Sequence, residues 1–270
     1  MGKKDILSMI FFALIAINAV YGTDLLMKAD KPKNKEIILG TYNSLPRMQN
    51  GEADISKLMK ELKDLNANTY NWLIWKNTND WEDLKQFLPI AKSNNIKVWV
   101  TLVPPSESKP KAQWNSEPYE TDYVKWAQEI AKLSLQYPNL TTLSIDDFAH
   151  NLSFFTPQYV KEIVESMKGI HPNLCFVPCV YYKQLTLDFA KNYEPYLDGI
   201  LFPYRAESEG ANLQNPTLVK NEIRTIRSLF TKKLPIYIDV YLTAHSSLGA
   251  STPQYVREVI KAGKKFADGV

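Results

Sequence analysis

Cysteine and histidine are scarce in this chain, at two and three in 270 residues. Both cysteines, Cys175 and Cys179, lie in the apolar run "CFVPC". In an extended strand that spacing spans roughly 13 Å, too far for a disulfide to close, so two core thiols are expected. With no second cysteine pair and no H-x-H or H-E-x-x-H spacing, the familiar zinc patterns are missing, and neither a metal nor a cofactor is expected. The turn after the first apolar run, "GTYNSLPRMQNG", lacks the glycine spacing that cradles dinucleotide phosphates. No G-x-S-x-G elbow is present either, which argues against an esterase. A large excess of one charge is also lacking: the formal charge of +3 falls to +2 without residues 1–22, which gives no reason to expect a nucleic-acid partner.

Long apolar runs are absent except at the start, where Lys3 and Lys4 precede "ILSMIFFALIAINAV". The run is short, and Val20 and Gly22 have the small-residue spacing of a cleavage site. Residues 1–22 therefore read as a secretory signal peptide, with a retained anchor as the alternative. No cysteine stands near the cleavage region to carry a lipid. Residues 23–35 read as a polar linker. The expected destination is secreted or periplasmic, with no stable membrane span after processing.

What is abundant is alternation. Apolar, β-branched runs at 36–42, 69–75, 97–103, 141–147, 174–182, 199–204 and 235–241 are separated by amphipathic stretches such as "DISKLMKELKDLN" and "YVKWAQEIAKLSLQ". Strands alternating with helices imply parallel pairing through right-handed crossovers. Repeated through residues 36–270, the pattern reads as an α/β fold, a (β/α)8 TIM-type barrel, with an open doubly wound sheet as the alternative. An eighth strand would begin at "FADGV", which shares its Asp-Gly entry with "YLDGILFPY". The chain stops there, so the eighth strand and helix are expected to be incomplete. Two near-identical segments, "TPQYVKE" at 156–162 and "TPQYVRE" at 252–258, read as helix starts, with Thr as cap and Pro in the first turn.

In such a barrel chemistry sits where the strands end. "LSIDDF" ends the fourth run with Asp146 and Asp147, and Asp239 ends the seventh. Side chains alternate along a strand. Leu143 and Ile145 suit the helix layer, so Ser144 and Asp146 should face the barrel, as should Tyr237, Asp239 and Tyr241 opposite Ile236, Ile238 and Val240. Asp147 should then point away from Asp146, ordering the following loop or meeting a sugar hydroxyl. Paired carboxylates across a cleft can protonate a leaving oxygen and attack, or activate water at, an acetal carbon, which is glycoside hydrolysis. The structural alternatives are a loop start for the Asp146–Asp147 pair and an ion pair of Asp239 with Arg205 or Lys183.

The strand ends are also aromatic. Tyr42, Trp75, Tyr181, Tyr182, Tyr204 and Tyr241 fall at the last positions of their runs, and His150, Asn151, Arg205 and His245 lie in the loops that follow. Sugar rings pack their C–H faces on aromatic rings, and their hydroxyls pair with polar side chains. These residues are therefore the candidate binding set for an oligo- or polysaccharide, with core packing as the alternative for several of the aromatics. A non-catalytic carbohydrate-binding barrel would explain the aromatic mouth equally well.

Across residues 36–270 the chain resembles secreted bacterial (β/α)8 proteins of the broad glycoside-hydrolase type. "SIDDF" is similar to the strand-four acidic endings of several sugar-cleaving barrels, and Asp239 stands at the strand-seven end where one large clan keeps its nucleophile. That clan has Glu at both places and Asn before the strand-four acid, where this chain has Ile145. The chitinase-like ending in Glu is replaced by Phe148. The resemblance implies a glycosidase with Asp146 and Asp239 as its carboxylates.

Overall fold

The computed structural model describes residues 37–270. The expected leader (1–22) and linker (23–35) lie outside the described residues. The strands are β1 (Gly40–Tyr42), β2 (Thr69–Ile74), β3 (Lys97–Leu102), β4 (Leu140–Ile145), β5 (Cys175–Phe176), β6 (Ile200–Pro203) and β7 (Ile236–Asp239). The helices are α1 (Ile55–Asp64), α2 (Asp80–Ser93), α3 (Tyr123–Gln136), α4 (Pro157–Ile170), α5 (Leu187–Tyr193), α6 (Val219–Leu229) and α7 (Pro253–Phe266). Among the described residues no helix is long and apolar enough to cross a membrane.

All strand pairs are parallel, β1 to β5 in sequential order and β6 with β7. These regular ladders stop short of a closed ring, and single bridges carry the rest of the circle. One pairs Cys179 with Leu201, and Gly269 pairs with both Tyr237 and Ile38. The run 174–182 is a regular strand only over Cys175–Phe176, because Pro178 has no amide to give a ladder. The chain nevertheless continues beside β4, with Val177 N to Leu143 O and Cys179 N to Ile145 O both 3.0 Å. At the eighth position Ile238 N reaches Gly269 O at 3.0 Å and Val270 N reaches Ile38 O at 2.9 Å.

The two Asp-Gly entries do the same job. Asp198 Oδ2 accepts from the Phe176 amide (2.8 Å) and pairs with Lys168 (2.8 Å). Asp268 Oδ2 accepts from the Ile236 amide (3.0 Å) and pairs with Arg227 (2.8 Å). Each acid thus ties the start of a neighbouring strand to a helix. The glycines make room for the aromatic interior: a Cβ on Gly269 would meet Ile38 Cβ at 2.7 Å and Tyr237 Cδ1 at 2.9 Å, and one on Gly199 would meet Tyr237 Cε2 at 3.0 Å.

Helices begin where their caps dictate. Asp54, Asp122, Thr156, Thr186 and Thr252 each accept a hydrogen bond from a backbone amide of the first turn, which satisfies donors that a helix start leaves open. The layer between strands and helices is the main core and includes Leu58, Trp72, Phe87, Trp126, Ile163, Phe176, Ile226, Ile236 and Ile238. A smaller cluster fills the barrel itself: Trp99, Val177, Cys179 and Leu201, with Ile38, Tyr42, Cys175 and Tyr237 against it. Both thiols are free.

Candidate active site

Strand β4 ends at Ile145, but the Asp146 amide still bonds Leu102 O at 3.0 Å, so Asp146 keeps the inward parity of Ser144. Asp147 does not keep its own. Its φ is +41°, a left-handed conformation that Asp tolerates better than most residues, and its amide turns back to Asp146 Oδ1 at 2.9 Å. The next residue explains the turn. Phe148 is fully buried in the outer core, its ring 4.9 Å from Phe155 and 5.9 Å from Phe176. Asp147 Oδ1 lies 3.7 Å from His150 Nδ1, and the Asp147 charge acts on Glu107, Cys179 and Tyr181. The expectation that Asp147 points away from Asp146 is therefore corrected: strand alternation ends one residue earlier, and both carboxylates belong to the mouth.

Asp239, the last residue of β7, lines a barrel cavity of ≈ 50 Å³ together with Tyr42, Asn71, Trp99 and Tyr237. Burial and then the Asp146 charge push its carboxyl up to about 7. Burial and then the Asp147 charge also raise Asp146, opposed by the Tyr42 hydroxyl, the Asp147 amide and the Cys179 thiol, which favour its charged form. Of the two cations considered as partners for Asp239, Arg205 is engaged elsewhere: it pairs with the buried Glu207 and lies over the Tyr181 ring, 4.0 Å from its centroid. Neither Arg205 nor Lys183 forms an ion pair with Asp239, and the Lys183 backbone amide donates to Glu207 at 3.0 Å. Among the described residues Asp239 has no ion-pair partner.

The β5 and β7 ends form an aromatic wall. The hydroxyls of Tyr181 and Tyr241 are 3.4 Å apart, Tyr241 stacks on His245 (4.3 Å, 21°), and His150 meets Tyr181 edge-on at 5.5 Å. Burial and the Arg205 charge lower the His245 pKa. Across the mouth Trp75 pairs with Trp114 at 5.3 Å, and Lys76 Nζ lies 3.9 Å from the Trp75 centroid.

Three candidates lie apart from this wall. Tyr204 is fully buried, donates its hydroxyl to Asn215 O at 2.6 Å and stacks on Tyr255 in the helix layer. Tyr182 packs on the outer core beside Phe202, since it follows the inward Tyr181 by one residue. Asn151 is buried and uses its amide for the scaffold, accepting from Ser106 N and donating to Ser106 Oγ and Asp147 O.

Two mouth residues escaped the sequence reading. Glu107 and Trp114 lie in the loop after β3, where no periodicity reports side-chain direction. Their one legible signal was position: Glu107 follows closely on the end of the run 97–103, at the catalytic end of a strand. Burial and then the charges of Asp146 and Asp147 push Glu107 up to about 7.

No family profile and no curated protein sequence matches the chain, but solved structures do. A GH113 β-1,4-mannanase aligns at 12% identity and TM-score 0.57, over 86% of this chain and 85% of that one. Endo-glycoceramidase II from Rhodococcus sp. aligns at 10% identity and TM-score 0.54, over 86% and 71%. Bacteroides uniformis β-glucuronidase 2 aligns at 9% identity and TM-score 0.57, over 86% of this chain but 29% of its own, so the chain spans under a third of that enzyme's length. At these identities the likeness is one of fold: the chain shares the barrel fold of these three enzymes.

Proposed function

We propose that this protein is an exported glycoside hydrolase acting on an oligo- or polysaccharide, with Asp146 and Asp239 as its paired carboxylates. The observation that carries the reading is that these two acids stand at the ends of β4 and β7, that the Asp146 charge raises the Asp239 carboxyl, and that among the described residues neither has an ion-pair partner. Two half-buried carboxylates of like charge favour a state in which one of them keeps its proton. One proton and one negative charge is the state that acetal hydrolysis requires. Asp146 receives the Asp147 amide as a donor to its charged form, and Asp239 keeps its proton up to about pH 7. Tyr181, Tyr241 and Trp75 supply rings on which sugar faces can pack.

The test is product analysis over a glycan panel that includes β-1,4-mannan, glucuronides and glycolipids, with wild type beside Asp146→Asn and Asp239→Asn. New reducing ends from wild type, lost in both variants, support the reading. Tight binding of a glycan without release of any sugar overturns it in favour of a binding barrel.

A further inference from the structure

We propose that Glu107 is a further catalytic residue of this site, the acid that gives a proton to the departing glycosidic oxygen. The inference rests on the glycosidase reading above. Its basis is the way the loop after β3 is tied down. Ser106 N donates to Asn151 Oδ1 at 2.9 Å, and Asn151 Nδ2 donates to Ser106 Oγ and to Asp147 O, each at 3.0 Å. On the other side of Glu107, the buried Ser108 hydroxyl bonds Pro104 O at 3.0 Å, as does the Glu107 amide itself. One asparagine thus clamps the Glu107 turn directly against the Asp146–Asp147 turn.

The carboxyl held there is half-buried and has no ion-pair partner among the described residues, while the charges of Asp146 and Asp147 act on it. Burial and these two negative neighbours keep it protonated up to about 7. The Asp146 charge therefore acts on two proton holders: Asp239, which lines the interior cavity, and Glu107, in the loop after β3. A leaving group departs through the rim, so Glu107 is the acid within its reach, while the Asp146–Asp239 pair serves the anomeric carbon. In the reaction Glu107 gives its proton to the glycosidic oxygen as the bond from the anomeric carbon breaks and its electron pair stays on that oxygen. Water adds its oxygen to the anomeric carbon, directly or after attack by a carboxylate, and releases one proton to the carboxylates. That proton returns to Glu107 through solvent, and the net change is one water consumed.

The experiment compares wild type, Glu107→Gln and Glu107→Asp on two glycosides of one sugar, a dinitrophenyl glycoside and the natural saccharide. A dinitrophenolate leaves without protonation, whereas a sugar alkoxide does not. Glu107→Gln is expected to lose about 100-fold in kcat/KM on the saccharide while cleaving the dinitrophenyl glycoside at a near wild-type rate, with partial recovery on the saccharide in Glu107→Asp. Melting temperatures confirm that both variants fold. Equal slowing of both substrates by Glu107→Gln, or of neither, overturns the assignment and leaves the glycosidase reading standing. Failure of wild type to turn over any glycoside overturns both.

Discussion

The Asp147 amide donates to Asp146 Oδ1 at 2.9 Å, a carboxylate clasped by its own chain neighbour. That contact exists because Asp147 adopts φ +41°, and it orders the roles of the two acids. Asp146 gains a fixed donor for its charged form, and Asp147 is left to shape the potential of the mouth. Asp146→Asn removes ionisation with little change of shape, so turnover should fall by at least about 100-fold. Asp147→Asn should fold normally, because Asn also tolerates the left-handed region, and should cost less, mainly in KM. Steady-state kinetics on a cleaved glycan reads both, and the reverse ranking would exchange the roles.

Asp239 should set a pH-dependent stability. Its carboxyl ordinarily ionises near 3.8 and in the folded chain near 7. Between those values the folded state keeps a proton that the unfolded state has released, so stability falls as pH rises through the window. Asp239→Asn should abolish this contribution. We expect the variant to match wild type near pH 4 and to melt on the order of 5 °C higher at pH 8, while being inactive. Calorimetry at the two pH values is the check, and equal shifts at both would contradict it.

Arg47 pairs with Asp80 and, at 2.9 Å, with Asp83. Both acids are buried, and Asp80 also accepts the amides of Trp75 and Asn77 at 3.0 and 3.1 Å, which fixes the exit of β2. Arg47→Met would leave two buried carboxylates without their cation, a loss of about 3–5 kcal/mol. Urea denaturation measures this, and a loss under about 1 kcal/mol would show that the acids find other relief.

Tyr204 separates packing from function. Its hydroxyl serves Asn215 O in the helix layer, so Tyr204→Phe should cost about 1–2 kcal/mol of stability and leave kcat/KM unchanged. A selective loss of turnover would return Tyr204 to the substrate set.

The repeating structure was legible in the chain itself, because it is local. Runs of period two, amphipathic helices of period 3.6 and the Thr-Pro caps at Thr156 and Thr252 each act within a few residues. They imply parallel strands and place Asp146 and Asp239 at the barrel mouth. Even the Asp-Gly entries of β6 and the eighth position could be read as a pair. What the chain could not express by itself is what happens once alternation stops. Burial of Phe148 among distant aromatic rings turns Asp147 into the mouth. The Asn151 clamp, reaching back across 45 residues, brings Glu107 beside Asp147. The Glu207 carboxylate engages Arg205, and among the described residues Asp239 has no ion-pair partner. These relations join residues far apart in the chain, and loop side chains take their directions from whatever packs against them. The acids are therefore readable in the sequence as residues at strand ends, and only the tertiary structure makes them one electrostatic unit.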